Sequence, residues 1–106
     1  MENFRYAVYI LTNKRKNVLY TGVTSHLKQR LCEHINGTRG WFTKKYQCHF
    51  LIYYEYYKDI IPAIDREKEI KGWNKEKKED LINRFNPEWK FLNEEIEEFR
   101  SKTIYE

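Results

Sequence analysis

Two runs of β-branched and aromatic residues near the start of the chain, Phe4-Arg5-Tyr6-Ala7-Val8-Tyr9-Ile10-Leu11 and Val18-Leu19-Tyr20-Thr21-Gly22-Val23, flank the polar residues Thr12 to Asn17. Such runs favour extended backbone, and a connection this short returns the chain antiparallel to itself. The sequence therefore predicts a β-hairpin, which needs other elements to cover its apolar side chains. The next residues supply one. Thr24 or Ser25 can cap a helix whose apolar residues Leu27, Leu31 and Ile35 recur every fourth position, and Asn36-Gly37 stops it.

Residues 37–48 have no clean period, and Trp41-Phe42 points to a short packed turn. Phe50 to Tyr57 reads as a third strand. Pro62 suits the first turn of a helix reaching about Trp73, since its missing N–H is not needed there. A further helix, around Lys75 to Phe85, buries Leu81, Ile82 and Phe85 before Asn86-Pro87 breaks it. Leu92, Ile96 and Phe99 recur at helical spacing, which predicts a terminal helix. The order strand, strand, helix, strand, helix, helix describes an α+β fold, a small three-stranded, mostly antiparallel sheet flanked by helices. A chain of 106 residues holds one such domain, over residues 1–90, followed by an acidic helix or tail over 91–106.

Charge is divided unevenly along this frame. Residues 1–49 carry nine Lys/Arg against two acids, and residues 50–106 carry eleven against fourteen, within a total of +4. A basic half suits an anionic partner such as a phosphate backbone, although lysines also simply keep a small protein soluble. Cys32 and Cys48 are too few for a disulfide framework. No apolar run of about 18 residues and no signal-like start is present, so a cytoplasmic protein with no membrane role is expected.

Three groups of residues could carry chemistry. His26, Arg30 and His34 recur at spacing four, on a stripe beside Leu27 and Leu31. A guanidinium there can fork onto a phosphate and an imidazole can move a proton near neutral pH; equally, both can coat a solvated face. On the Pro62 helix the apolar arc is set by Ile60, Ala63 and Ile64, and Glu67 falls within about 20° of its middle. A carboxylate aimed into an apolar stripe needs a charged partner, which is either a metal ion or a buried ion pair with Arg30 or a lysine. The run Tyr53-Tyr54-Glu55-Tyr56-Tyr57 reads as packing rather than as a base-stacking platform. Cys32, His34, Cys48 and His49 could supply zinc ligands, but their spacing does not match that of structural zinc sites.

Taken in order, these residues resemble the GIY-YIG nuclease family. Ala7-Val8-Tyr9 stands for Gly-Ile-Tyr and Tyr20-Thr21-Gly22 for Tyr-Ile-Gly, at the family's separation. Arg30 and then His34 follow, Ala63-Ile64-Asp65-Arg66-Glu67 is similar to the metal-binding segment, and Asn86 to the asparagine that closes the family domain. The likeness covers roughly residues 5–90 and is greatest to small stand-alone bacterial members, which look like the N-terminal nuclease module of the excinuclease C subunit. Val23 departs from members that have a lysine there.

The resemblance implies a DNA endonuclease, with repair or recombination as its setting, that uses one Mg²⁺ or Mn²⁺ held by Glu67. Tyr20 positions or deprotonates the attacking water with Tyr9 beside it, and Arg30 neutralises developing charge. His34 orients the tyrosine or the phosphate, and Asn86 braces the site. DNA is the implied partner, with a protein partner to supply targeting. The alternative is a catalytically weak or inactive nucleic-acid-binding module of the same fold.

Overall fold

The computed structural model describes residues 4–38 and 40–96. Strands β1 (Tyr6–Thr12) and β2 (Leu19–Thr24) form the hairpin, and β3 (Phe50–Tyr57) pairs antiparallel with the other side of β1, giving the order β2-β1-β3. The hairpin loop is held by Asn13, whose side-chain oxygen accepts from the backbone N–H groups of Asn17 and Val18. Because β1 is central and covered on both faces, its residues from Ala7 to Thr12 are all buried. The fold is α+β, as the order of elements requires.

Helices α1 (Leu27–Asn36) and α2 (Trp41–Tyr46) cover one face of the sheet, where Leu27, Leu31 and Phe42 meet Ala7, Tyr9 and Leu11. Helices α3 (Ile60–Lys71) and α4 (Lys75–Phe85) cover the other, where Ala63, Ile70 and Ile82 meet Val8, Ile10 and Ile52. The β1–β3 register shifts between Ile10 and Leu11, whose partners are Tyr53 and Leu51, so Ile52 is the extra residue of a bulge.

Several local expectations change. The N-cap of α1 is His26, and its side chain makes no capping bond; Thr24 is still in β2, where its Oγ1 accepts from the His26 N–H at 3.0 Å. The buried face of α1 is Leu27, Leu31 and His34, with Ile35 55% exposed. At about 100° per residue a strict spacing of four drifts off the face, so position 34 falls in line with Leu27 while position 35 turns outward. Residues 41–46, expected as a turn, form a helix bracketed by the left-handed residues Gly40 (φ 70) and Gln47 (φ 59). Phe85, expected in the core, lies 45% exposed with its ring edge-on to Tyr53 and Tyr54.

The expected terminal helix is reduced, among the described residues, to one 3₁₀ turn over Asn93–Glu95, after which Ile96 is extended. Phe99 and the remainder of that prediction lie outside the described residues. Leu92 donates its N–H to the Leu51 carbonyl at 2.7 Å, and Asn93 bonds Leu51 N–H and the His49 carbonyl, each at 2.9 Å. This lashes the 91–96 segment along the start of β3. No described helix is long and apolar enough to cross a membrane.

Candidate active site

The hairpin register sets the geometry of the site. Tyr9 on β1 stands opposite Gly22 on β2, and a Cβ added at Gly22 would lie 2.5 Å from both Cζ and Oη of Tyr9. Only glycine lets the ring lie across the neighbouring strand. From there Tyr9 Oη reaches Nε2 of His34 at 3.0 Å in the interior, and Nδ1 of His34 meets Thr43 Oγ1 of α2 at 3.1 Å. Thr43 Oγ1 in turn donates to the Gly40 carbonyl at 3.4 Å. One hydrogen placement runs through all four: the Tyr9 hydroxyl donates to Nε2, Nδ1–H donates to Thr43, and Thr43 donates to Gly40.

Tyr20 completes this cluster from β2. Its ring centroid lies 6.5 Å from that of Tyr9, 5.6 Å from His34 and 5.9 Å from Phe42. Tyr9 is fully buried and His34 is 1% exposed, whereas Tyr20 is only partly buried. Tyr20 is thus the member that solvent can reach.

The other candidates have polar partners of their own. Arg30, one turn before His34 on α1, pairs through Nε with Glu33 Oε1 at 3.3 Å. It lines a cleft of about 340 Å³ with Thr24, Ser25, His26, Gln29 and Glu33. Glu67 is 8% exposed on the face of α3 that carries Ala63 and Ile70, so it points inward as its wheel position predicts. Its Oε2 meets Lys71 Nζ at 2.7 Å, and that lysine side chain is half exposed. Helix α3, which carries Glu67, covers the face of the sheet opposite Tyr9. Val23 packs on the α3 side of β2, the opposite side from Tyr20.

Asn86 is 6% exposed and fully engaged. Its Nδ2 donates to the Ile52 carbonyl at 3.0 Å and to the Lys90 carbonyl at 2.9 Å, and its Oδ1 accepts from Lys90 N–H at 3.0 Å. It therefore clamps the bulged residue of β3 to the turn after α4. A second network fixes α3: Glu55 accepts from the hydroxyls of Tyr53 and Tyr57 and from Arg66 Nε and Nη2, each at 3.1 Å for the arginine. Burial works against the Glu55 charge, but Arg66 and the two hydroxyls outweigh it and hold the carboxyl below its ordinary range. Burial, then the bond to Glu55, pushes Tyr57 up to about 12.

A divalent ion fits one donor set here. Among the described residues no three His, Cys, Asp or Glu side chains gather in a cage. Glu67 offers one inward carboxylate whose partner, Lys71, can withdraw to solvent, and Mg²⁺ is commonly bound through one or two carboxylates with water and substrate phosphate filling its shell. Two participants, Thr43 and Lys71, were not visible as site residues in the sequence. Thr43 lies in the stretch without a period, and Lys71 is marked only by its i,i+4 relation to Glu67.

Comparison with known proteins matches residues 5–80 to the GIY-YIG catalytic domain. A UPF0213 protein of Staphylococcus saprophyticus is 33% identical over 79 residues, covering 74% of this chain and 95% of its own. A UPF0213 protein of Clostridium perfringens is 36% identical over 76 residues, 72% of this chain and 81% of its own. The solution NMR structure of a UPF0213 protein from Bacillus halodurans aligns at a TM-score of 0.48 and 28% identity, over 74% of this chain and 82% of that one.

Proposed function

The chain belongs to the GIY-YIG family, and on that premise we propose that it is a metal-dependent endonuclease that hydrolyses DNA phosphodiester bonds in the cytoplasm, in repair or recombination. The observation that carries the reading is the buried Tyr9–His34–Thr43 hydrogen-bond chain with Tyr20 packed on it at the surface. These bonds hold the Tyr9 and His34 rings in one orientation behind a solvent-reached tyrosine.

In this reading Tyr20 orients the attacking water, whose proton leaves to solvent, while Tyr9 and His34 hold the Tyr20 ring in place. The water oxygen bonds to phosphorus, the bond from phosphorus to the leaving sugar oxygen breaks, and solvent returns a proton to that oxygen. Arg30, released from Glu33, neutralises the phosphate oxygens. Glu67 would hold Mg²⁺ or Mn²⁺, and Asn86 braces the sheet beneath. When bound, the ion supplies positive charge that stabilises the pentavalent phosphate and the leaving oxygen. A protein partner supplies targeting.

One observation favours a second reading. The helix that carries Glu67 covers the face opposite the tyrosine cluster, as a nucleic-acid-binding module of the same fold with little turnover would tolerate. Incubation of the purified protein with supercoiled, single-stranded and branched DNA in Mg²⁺ or Mn²⁺ separates the two. The nuclease reading expects cuts that vanish in Glu67→Ala; intact DNA throughout, with the Ala variant no different, leaves the binding module.

A further inference from the structure

No Asp or Glu occurs between Glu33 and Glu55, and α2 lies in the middle of that stretch. One side of α2 belongs to the site: Thr43 bonds His34, and Phe42 packs on Tyr20. The other side presents Trp41 with 71% of its surface exposed, and Tyr46 is exposed as well. Lys45 Nζ stands 5.9 Å from the Trp41 ring centroid and 5.4 Å from that of Tyr46. These rings are held in place, because Phe42 lies edge-on to Trp41 at 6.1 Å and against Tyr46 at 4.8 Å. A run of aromatic rings therefore leads from Tyr20 to the surface and ends beside an ammonium group.

An exposed indole face stacks on any nucleobase, and a neighbouring lysine neutralises the phosphate attached to it. Bases inside a duplex stack on each other and show only their edges, so Trp41 can be covered only by a base that is unpaired or at an end. We infer that α2 is a nucleobase-stacking platform, in which Trp41 takes an unpaired base of the DNA and Lys45 its phosphate, bringing the strand to the Tyr20 end of the cluster. The inference rests on the nuclease reading and selects, within it, single-stranded or branched DNA as the substrate class.

The test separates binding from cleavage. Anisotropy of a labelled single-stranded oligodeoxynucleotide, of its perfect duplex and of the matching ribonucleotide strand is followed in EDTA at fixed salt. Wild-type protein is expected to prefer the DNA single strand. Trp41→Ala is expected to weaken that binding about tenfold, the scale of one lost base stack, and to change duplex binding by less than about twofold. Trp41→Phe should recover most of the loss, and Lys45→Ala should weaken both DNA forms and flatten their salt dependence. Circular dichroism should be unchanged in all three variants, since neither side chain is in the core. An Ala variant that binds single strands as tightly as wild type, or that loses equally on duplex, overturns the platform; tighter binding of the ribonucleotide strand overturns the choice of DNA. A protein that shows the Trp41 effect yet cuts nothing with metal present overturns the nuclease reading and leaves the platform standing. Glu67-dependent cutting without the Trp41 effect does the reverse.

Discussion

Tyr9 and Gly22 stand opposite each other across the β1–β2 ladder, and the tyrosine ring fills the volume that any side chain on residue 22 would need. Gly22→Ala puts a carbon 2.5 Å from Cζ and Oη of Tyr9, so the ring must swing and its hydroxyl must leave His34. Overpacking of this kind costs about 1–3 kcal/mol, and in a domain of this size each kcal/mol lowers Tm by roughly 4–8 °C. Thermal unfolding is expected to show that shift, with cleavage lost even where the variant is still folded. Wild-type Tm together with wild-type cutting would refute the role given to this pair.

How much of this was legible in the sequence depended on how local each signal was. The hairpin and Glu67 announce themselves through patterns confined to a few residues: two apolar runs around a polar loop, and a carboxylate on an apolar arc. His34 stood out by its spacing from His26 and Arg30, but its burial did not, because counting by fours assigned the buried position to Ile35, and the partner that makes a buried imidazole acceptable is Tyr9, 25 residues away. The α2 helix spans six residues, too few for a period, and its ends are fixed by two left-handed residues rather than by caps. That α3 covers the face opposite the tyrosine cluster was not legible either. Which face of the sheet a helix covers is set by the connection between elements, and no local pattern records it.

Asn86 holds a carbonyl that the β1–β3 ladder leaves out. Ile52 is the extra residue of the bulge, and its oxygen is taken by Asn86 Nδ2 in the interior. Asn86→Ala strands that acceptor and also frees Lys90, so a loss of about 1–3 kcal/mol is expected in urea unfolding. Asn86→Asp should be no better, because it sets a carboxylate oxygen against two carbonyls. Hydrogen exchange should locate the loosening at the start of β3; a variant as stable and as protected there as wild type would disprove the clamp.

Glu55 gives the protein a pH dependence at both ends. Its carboxyl is held below the ordinary value of about 4.3, so the stability it contributes is present above that pH and is lost as pH falls through the lower folded value. Tyr57 works in the other direction. Its hydroxyl is pushed up to about 12, so above the unfolded value of about 10 the native state keeps a proton that the unfolded chain releases. Stability then falls as pH rises across that interval. Glu55→Gln is expected to make the acid limb of a stability profile shallower and to lower the pH at which tyrosinate absorbance appears. An unchanged acid limb would show that Arg66 and the tyrosines do not hold the Glu55 charge.

In the proposed function Lys71 and a divalent ion would compete for the same oxygen. Lys71 Nζ lies 2.7 Å from Glu67 Oε2, and only one of the two cations can sit there. The lysine side chain is half exposed, and pairs of that kind contribute about 0–1 kcal/mol, so displacing it should cost a metal ion no more than roughly fivefold in affinity. Lys71→Ala is therefore expected to lower the Mn²⁺ concentration for half-saturation by up to about fivefold, and Glu67→Gln to abolish saturable binding. Electron paramagnetic resonance of free Mn²⁺ reads both without any cleavage step. Binding that persists in Glu67→Gln would remove this carboxylate as the metal ligand, whereas Glu67-dependent binding that is indifferent to Lys71 would mean that the ion approaches from the other carboxylate oxygen.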